Sequence, residues 1–369
     1  RLVSDWSSDV CSSDLSEALR KLVNIPLQGL IPTNEAIYEL LTLGTSLTET
    51  VDGHTFSPSL HYIDWQHPEN NVYHVTDEFS VERRGSHDKR RPDVVLFVNG
   101  IPLVIIECKR ADSEGQAELL DPRCVADGDP AHINKPIAEA ISQTIRNQND
   151  DQIPHLFIYS QLLMAVHPNE AYYATTGTPK KFWSIWREED PVDDAVHDLI
   201  NRPLSDALKA KLYNWRAYPH LLHQHFMGLG ERLPTAQDRL LYALLRPARL
   251  LEMVYGYLVY DGGKKKIARY QQFFAIRATI ARVAQVNPQG RRTGGVIWHT
   301  TGSGKSLTMV MLAKALALHP NIQNPRVILV TDRVNLDVQI FNTFHACGKA
   351  VVQANDGKHL VRLVTDKLR

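Results

Sequence analysis

The most regular pattern of hydrophobic and polar positions lies in residues 94–106. Two segments rich in β-branched side chains, 94–98 and 103–106, flank the dipeptide Asn99-Gly100. Because Asn-Gly between such segments is a strong signal for a tight turn, the pattern predicts a β-hairpin. Further along, a predicted helix at 137–149 is followed by predicted strands at 155–159, 162–166 and 171–175. This alternation predicts an α/β domain that ends near residue 190.

The pattern becomes helical after that point and then alternates again. Thr235 and Asp238 form the start signal of a helix whose apolar stripe includes Leu240 and Leu244. Pro247 is expected to break that helix. Beyond residue 265 the pattern predicts a strand at 296–298, a buried helix at 306–316 and a second parallel strand at 326–331. The chain is therefore expected to be an α/β protein with a helical connector.

Charged side chains stand at the ends of the predicted hairpin. Glu107 and Lys109 are two residues apart on the outgoing strand, so both leave the same face of the sheet. The carboxylates of Asp93 and Glu107 would supply the oxygen ligands that Mg²⁺ prefers. Lys109 would orient the attacking water or stabilise charge that develops on a phosphate. The alternative is a hairpin with surface charges, which the apolar character of the strand disfavours.

The register of the hairpin decides whether these groups meet. A plain two-residue turn pairs Val98 with Ile101. Asp93 then lies opposite Ile106, on the wrong face for Glu107. One extra residue, either in a loop at 99–101 or in a bulge, places the two acidic residues opposite each other. We therefore expect an odd-length turn or a bulge between residues 98 and 103, with the two carboxylates within about 6 Å.

Residues 90–109 resemble the nuclease core of the restriction (R) subunit of type I restriction-modification enzymes. The resemblance implies a PD-(D/E)xK fold with Asp93, Glu107 and Lys109 as catalytic residues. It also implies a catalytic glutamine on a following helix, in the pattern Gln-x-x-x-Tyr. Gln143 matches that glutamine, whereas Asn147 stands in place of the tyrosine.

A glycine-rich loop lies between the predicted strand at 296–298 and the predicted helix at 306–316. This order of elements binds NTP phosphates, because backbone N–H groups of the loop and the helix N-terminus surround them. Lys305 would reach the β and γ phosphates, and the Ser306 hydroxyl would ligate Mg²⁺. The loop resembles that of superfamily-two helicases, in which His299 is tolerated in place of the first glycine. We expect six residues to bind ATP: Thr301, Gly302, Ser303, Gly304, Lys305 and Ser306.

Two flanking segments resemble further helicase motifs. Residues 269–272 resemble the Arg-x-x-Gln motif, so Gln272 is expected to read the adenine edge; an exposed helical glutamine is the alternative. Residues 332–339 resemble a motif on the DNA-facing side of the motor, which places Arg333 at DNA. No Asp-Glu or Asp-Asp pair follows a buried strand after Ser306. The chain is therefore expected to be an N-terminal fragment that hydrolyses ATP hardly at all by itself.

Composition narrows the class of protein only slightly. The 369-residue chain has 41 Lys and Arg and 41 Asp and Glu, so its formal net charge is zero. Local basic clusters such as 264–266 could contact phosphates or could form an ordinary solvated surface. Lys89, Arg90 and Arg91 are expected to bind DNA because they adjoin the nuclease segment. The four cysteines lack metal-ligand spacing, which is typical of a reducing cytoplasm. No apolar segment reaches membrane-spanning length.

The sequence divides into four expected parts. Residues 1–15 repeat Ser-Ser-Asp without helical or strand periodicity and resemble a non-native scar. Residues 16–190 are expected to form the PD-(D/E)xK endonuclease domain and residues 191–265 a helical connector. Residues 266–369 are expected to form a partial first RecA-like helicase and ATPase lobe.

The resemblance implies a function that uses both sites. The expected activity is ATP-dependent translocation along double-stranded DNA and cleavage of unmodified DNA, with ATP and Mg²⁺ as cofactors. The expected partners are methyltransferase (M) and specificity (S) subunits, and the S subunit would supply the target sequence. Two alternatives stay open: a DNA-repair helicase-nuclease of another family, and a non-catalytic DNA-binding assembly subunit.

Overall fold

The computed structural model describes residues 3–4, 12–47, 49–51, 54–57, 59–110, 134–214, 216, 218–228, 230–300, 302–322 and 325–365. Its first elements are β1 (Val3–Ser4), α1 (Ser12–Val23), α2 (Leu30–Leu43), β2 (Thr45–Ser46), β3 (Glu49–Val51), β4 (His54–Phe56) and β5 (Ser59–His61). Strands β1, β5 and β2 form a small antiparallel sheet, and β3 pairs with β4. Regular structure therefore includes part of segment 1–15, although the sequence of that segment shows no period.

A five-stranded mixed sheet forms the centre of the N-terminal half. The next elements in chain order are β6 (Tyr73–Asp77), β7 (Val81–Glu82), β8 (Lys89–Arg90), β9 (Val94–Val98), β10 (Ile101–Cys108), α3 (Lys135–Asn147), α4 (Pro154–Phe157), β11 (Leu162–His167) and β12 (Glu170–Ala174). The order in the sheet is β12-β11-β10-β9-β6. Strands β10 and β11 run parallel, and the other neighbours run antiparallel. The mixed α/β class expected from the sequence is confirmed.

The hairpin formed by β9 and β10 has a two-residue turn and a bulge. Val98 pairs with Ile101, and both Asn99 (φ 51°) and Gly100 (φ 85°) have positive φ, as a type I′ turn requires. The pairing shifts by one residue between Pro102 and Val104. The expectation of a bulge is thus correct, and the alternative of a three-residue loop at 99–101 is wrong.

The bulge changes the face to which the end of β10 is directed. Leu103 and Val104 are consecutive, yet both are buried in the same apolar cluster. Ile106 belongs to that cluster as well, whereas Ile105 belongs to a second cluster on the other face of the sheet. Because side chains alternate along a strand, Glu107 follows Ile105 onto this second face.

Helix α3 covers the second face of the sheet. Its buried side chains Ile137, Ala140 and Ile141 pack with Ile105 in the second cluster. Gln143 lies on this helix, two residues after Ile141. The helix therefore carries Gln143 over the end of the strand that carries Glu107.

The segment 155–159 does not form the strand that its apolar composition predicts. It begins with the short helix α4, and Pro154 occupies the first turn, where proline is favoured because its missing N–H needs no partner. Leu156 and Phe157 are buried in the second cluster. A short segment that is apolar on all sides is compatible with either element, so its period could not distinguish them.

The segment expected to form the connector, 191–265, is mostly helical up to residue 256 and then continues into a β-hairpin. It contains α5 (Asp193–Ile200), α6 (Asp206–Tyr213), α7 (Pro219–Gly228), α8 (Ala236–Leu245) and α9 (Pro247–Gly256), followed by the hairpin β13 (Leu258–Asp261) and β14 (Lys264–Ile267). Thr235 and Asp238 cap α8 reciprocally, and Leu240 and Leu244 are buried. Helix α8 ends at Leu245, and Pro247 starts α9.

The C-terminal region contains four helices in the described residues: α10 (Tyr270–Ala284), α11 (Lys305–Leu318), α12 (Val334–Ala346) and α13 (Gly357–Thr365). The helix expected at 306–316 is therefore present. The strands expected at 296–298 and 326–331 are not formed in this structure. Trp298 and Val330 are 90% and 89% exposed. A strand needs a neighbour for its N–H and C=O groups, and within the described ranges neither segment pairs with one.

Candidate functional site

The two carboxylates of the hairpin lie side by side. The register pairs Ile106 with Val94, so Asp93 stands opposite Glu107 at the end of the ladder. Asp93 is held in place by the backbone of β10, because the Cys108 N–H donates to its Oδ2 at 2.7 Å. The convergence that the sequence required is therefore achieved by the bulge.

Gln143 and Lys109 complete this group of side chains. The Gln143 amide donates from Nε2 to Glu107 Oε2 at 2.9 Å. Its Oε1 accepts a hydrogen bond from Lys109 Nζ at 3.1 Å. Gln143, which the resemblance alone had assigned to the site, thus bridges its acidic and basic members. We call Asp93, Glu107, Lys109 and Gln143 the carboxylate site.

The electrostatics of Glu107 are unusual for a carboxylate. The side chain is 1% exposed. Burial and the charge and hydrogen bond of Asp93 raise the pKa of Glu107 to about 8, while Lys109 and Gln143 act in the opposite direction. The Oε1 atom of Glu107 is buried and has no hydrogen-bond partner. A buried oxygen without a donor is costly, so this position favours either a proton or a cation.

The donor set fits a hard divalent cation. Two carboxylates suffice for Mg²⁺, which binds oxygen and commonly keeps several water ligands. In the described part of the chain, no group of three or more His, Cys, Asp or Glu residues has metal-binding geometry. The two carboxylates and the unpartnered oxygen of Glu107 thus fit a cation that prefers oxygen ligands, and binding of Mg²⁺ at this site stays a prediction.

The basic residues expected at DNA differ in their surroundings. Arg90 donates from Nε to Gln152 Oε1 at 2.8 Å, so its guanidinium helps to fix strand β8 to the loop after α3. Lys89 Nζ lies 3.9 Å from Glu82 Oε1 across the β7–β8 ladder. Arg91 is exposed and stands two residues before Asp93. Arg91 is therefore the best placed of the three to contact a DNA phosphate.

The glycine-rich loop has the backbone that its glycines predict. Gly302 and Gly304 have φ values of 81° and 82°, in the left-handed region that favours glycine. Gly304 is the N-cap of α11, and Lys305 and Ser306 form the first turn of that helix. Lys305 Nζ donates to the carbonyl oxygens of two loop residues, His299 at 2.9 Å and Thr300 at 2.6 Å. Thr301 lies outside the described residues.

Gln272 is buried and contacts the same loop. Its Oε1 accepts from the Arg269 N–H at 2.9 Å, and its Nε2 donates to Gly304 O at 3.2 Å. A Cβ atom at Gly304 would stand 2.8 Å from Gln272 Nε2. The alternative of an exposed helical glutamine is therefore wrong, and reading of adenine by Gln272 stays a prediction.

A cavity of about 810 Å³ adjoins the loop. Its lining includes residues of α10 and of the glycine loop, among them Arg269, Arg282, His299, Gly302 and Ser303. The volume is within the range of small-molecule sites. Arg333 does not line this cavity and lies at the N-terminus of α12. Its guanidinium is exposed, and its Nε lies 3.9 Å from Asp332 Oδ2.

The basic segment 264–266 contains one internal side chain. From the sequence it could have contacted phosphates or formed a solvated surface, yet Lys265 is only 4% exposed and donates to Asn34 Oδ1 at 2.7 Å. Strand alternation gives the reason, since the middle residue of three points to the opposite face from its neighbours. That alternation is the signal that would have identified Lys265 as internal.

Comparisons with known proteins bear on both sites. Residues 4–182 match the model of the type I restriction enzyme R protein N terminus, and residues 271–369 match that of the SWI2/SNF2 ATPase. A putative type I restriction enzyme MjaIXP endonuclease subunit of Methanocaldococcus jannaschii is 27% identical over 354 residues, or 94% of this chain. The type I restriction enzyme HindI endonuclease subunit of Haemophilus influenzae is 27% identical over 371 residues, or 95% of this chain.

These matches join a restriction-enzyme N-terminal region to an ATPase region on one chain. The matches confirm the resemblance to type I restriction enzyme R subunits that the sequence indicated. It spans about 30% of the length of these two curated relatives. Within the described ranges, no helix is both long and apolar enough to cross a membrane.

Proposed function

We propose that this chain cleaves DNA at the carboxylate site and binds ATP at the glycine loop, as part of the restriction subunit of a type I restriction-modification complex. The observation that supports cleavage most directly is the pairing of half-buried Asp93 with buried Glu107, one of whose oxygens has no hydrogen-bond partner. We assign the PD-(D/E)xK fold to the domain that contains the five-stranded sheet. We assign a RecA-like lobe to the region that begins with α10.

The carboxylate site would catalyse hydrolysis of a phosphodiester. Asp93 and Glu107 would hold Mg²⁺, which supplies positive charge to the scissile phosphate and lowers the pKa of a bound water. The water oxygen would bond to phosphorus while the bond from phosphorus to the leaving oxygen breaks. Lys109 uses one N–H on Gln143, so its remaining donors can stabilise the developing negative charge.

The glycine loop would bind the phosphates of ATP. The loop backbone and the N-terminus of α11 provide N–H donors, and Lys305 would exchange the loop carbonyls for phosphate oxygens. Ser306, in the first turn of the same helix, would ligate the nucleotide's Mg²⁺. Translocation on double-stranded DNA by the whole protein, together with methyltransferase and specificity subunits, would precede cleavage.

The test uses the full-length protein assembled with those subunits. Asp93→Asn and Glu107→Gln should each abolish double-strand cleavage of unmodified DNA and leave ATP hydrolysis near the wild-type rate. Glu82→Gln, an exposed carboxylate on β7, is the matched control and should change neither activity. Cleavage that survives in both site variants would show that the nuclease assignment is wrong.

The same assay separates the two alternatives. Cleavage that needs neither a methyltransferase nor a specificity subunit would favour a DNA-repair helicase-nuclease. Absence of cleavage and of ATP hydrolysis in the wild-type assembly would favour a non-catalytic subunit.

A further inference from the structure

A buried polar junction connects α2, the strands of the nuclease sheet, the β13–β14 hairpin and the helix that follows the glycine loop. We define this junction by five residues: Asn34, Tyr38, Gln161, Lys265 and Lys314. Asn34 and Gln161 are fully buried, and Lys265 and Tyr38 are 4% and 6% exposed. None of the five takes part in the carboxylate site or in the proposed contacts to ATP.

Asn34 is the centre of the junction. The carbonyl oxygens of Phe157, Ile158 and Ser160 lie 3.1, 2.7 and 3.0 Å from its Nδ2 and share its two N–H donors. Its Oδ1 accepts from Lys265 Nζ at 2.7 Å. The Asn34 amide therefore fixes the segment between α4 and β11 to the β13–β14 hairpin.

The junction reaches the bulge of β10 through Gln161. Lys265 Nζ donates to Gln161 Oε1, and the Gln161 N–H donates to Leu103 O at 2.8 Å. The neighbouring Ser160 hydroxyl donates to Pro102 O at 3.2 Å. Pro102 and Leu103 are the residues at which the register shifts, and that shift places Glu107 beside Asp93.

The bond from the Gln161 N–H to Leu103 O is a backbone hydrogen bond, so it ties the start of β11 directly to the bulge. What the junction adds is the contact of the Gln161 side chain with Lys265, which ties this backbone to the β13–β14 hairpin. A shift of that hairpin would therefore displace the strand that carries Glu107.

The opposite end of the junction is Lys314 on α11. Its Nζ donates to the Tyr38 hydroxyl and to Leu258 O at 3.0 Å, and it lies 4.8 Å from the centre of the Tyr38 ring. The Tyr38 hydroxyl in turn donates to Val254 O at 2.9 Å. Lys265 lies 5.7 Å from the centre of the same ring, on which both ammonium groups therefore converge.

Burying two lysine side chains at one site costs free energy, because both lose their hydration. Burial lowers the pKa of Lys265, and the charge of Lys314 lowers it further. The hydrogen-bond partners of both ammonium groups are neutral oxygens of amides, a phenol and the backbone. Apolar side chains would stabilise such an interface at lower cost, so a role beyond stability is favoured.

Helix α11 gives the junction a direct connection to the nucleotide site. Lys305 begins this helix and Lys314 stands nine residues later, about 13 Å along its axis. Lys305 now donates to loop carbonyls, and phosphate binding would replace those bonds. Because a helix moves as a rigid element, a change at its first turn is carried to Lys314.

We propose that Lys314 and Lys265 are positioning residues that transmit occupancy of the glycine loop to the bulge of β10 and so control cleavage at the carboxylate site. The proposal rests on the proposed function, since it requires ATP at the loop and cleavage at the carboxylates. Neither lysine touches DNA or ATP in this scheme.

The first test measures coupling in the full-length protein assembled with its methyltransferase and specificity subunits. Lys314→Met and Lys265→Met should keep ATP hydrolysis within about twofold of wild type, while cleavage events per ATP hydrolysed fall about tenfold, within the usual range of coupling between sites. Lys264→Met is the matched control, because Lys264 is on the same strand but exposed. An unchanged ratio in both junction variants would overturn the proposal.

The second test measures hydrogen exchange at the backbone bond to the bulge and does not depend on cleavage. Hydrogen exchange of the Gln161 amide should change when wild type and Lys264→Met bind a non-hydrolysable ATP analogue, and should not change in Lys314→Met. Tyr38→Phe, which removes only a hydroxyl, should behave like Lys314→Met and serves if a lysine variant fails to fold. If wild type binds the analogue and the exchange rate of the Gln161 amide does not change, the proposal is wrong. If that exchange rate changes but wild type does not cleave DNA, only the nuclease assignment is wrong.

Discussion

Glu107 provides the sharpest prediction, because its protonation and its proposed Mg²⁺ ligation compete. With a pKa of about 8, Glu107 holds a proton at neutral pH in the metal-free protein. At pH 7 only about one tenth of the molecules have an ionised Glu107, and at pH 6 about one hundredth. Since Mg²⁺ binds the ionised form, its affinity should fall about tenfold for each pH unit below 8.

The protonation of Glu107 also affects the stability of the fold. The folded-state pKa of Glu107 is raised from its ordinary value of 4.5 to about 8, so the group stabilises the metal-free fold below pH 4.5 and loses that contribution as pH rises through 8. The full shift corresponds to roughly 5 kcal/mol at about 1.4 kcal/mol per pH unit. Glu107→Gln cannot ionise, so its stability should not fall in this way.

Calorimetric titration with Mg²⁺ in two buffers of different ionisation enthalpy gives the affinity and the number of protons released. Wild type should release about one proton per Mg²⁺ at pH 6 to 7 and about half a proton at pH 8. Glu82→Gln should match wild type, whereas Glu107→Gln should lose both binding and release. Mg²⁺ affinity that does not change between pH 6 and pH 8 would refute the argument.

Three further outcomes follow from the structure. Lys305→Ala removes the charge expected on the β and γ phosphates, so ATP hydrolysis and cleavage of circular unmodified DNA should be lost together; cleavage without ATP turnover would break the proposed coupling. Gly304→Ala places a Cβ 2.8 Å from Gln272 Nε2 at a φ of 82°, so calorimetry should show ATP-analogue binding about tenfold weaker than in wild type. Gly290→Ala, whose added Cβ would meet no atom within 4 Å, is the control and should bind the analogue normally. Thr235→Ala removes the cap of α8 and should cost about 1 kcal/mol, seen as faster hydrogen exchange in that helix; unchanged exchange would show that the cap is dispensable.

Local signals in the sequence identified the hairpin and the loop. Asn99-Gly100 fixed the turn because both residues must adopt positive φ, which few other dipeptides tolerate. The spacing of Glu107 and Lys109 placed both on one face, and the glycines at 302 and 304 gave the loop its backbone. Each of these inferences depends on a few neighbouring residues.

Failures occurred where the partner of a segment decided its structure. The segment 155–159 has an apolar composition that fits a strand or a helix, and Pro154 with its packing on the second cluster made it helical. The segments 296–298 and 326–331 have the composition of strands, but a strand forms only against a neighbour, and none pairs with them among the described residues.

The sequence by itself determined which residues are able to do chemistry, because residue type and spacing along one element are local properties. The tertiary structure alone decided which of them meet. The bulge at Leu103 turns Glu107 to the face that α3 covers, and packing of α3 on Ile105 brings Gln143 to that carboxylate. The burial of Lys265 is of the same kind, since its partner Asn34 is 231 residues away in the chain and only the folded protein brings them into contact.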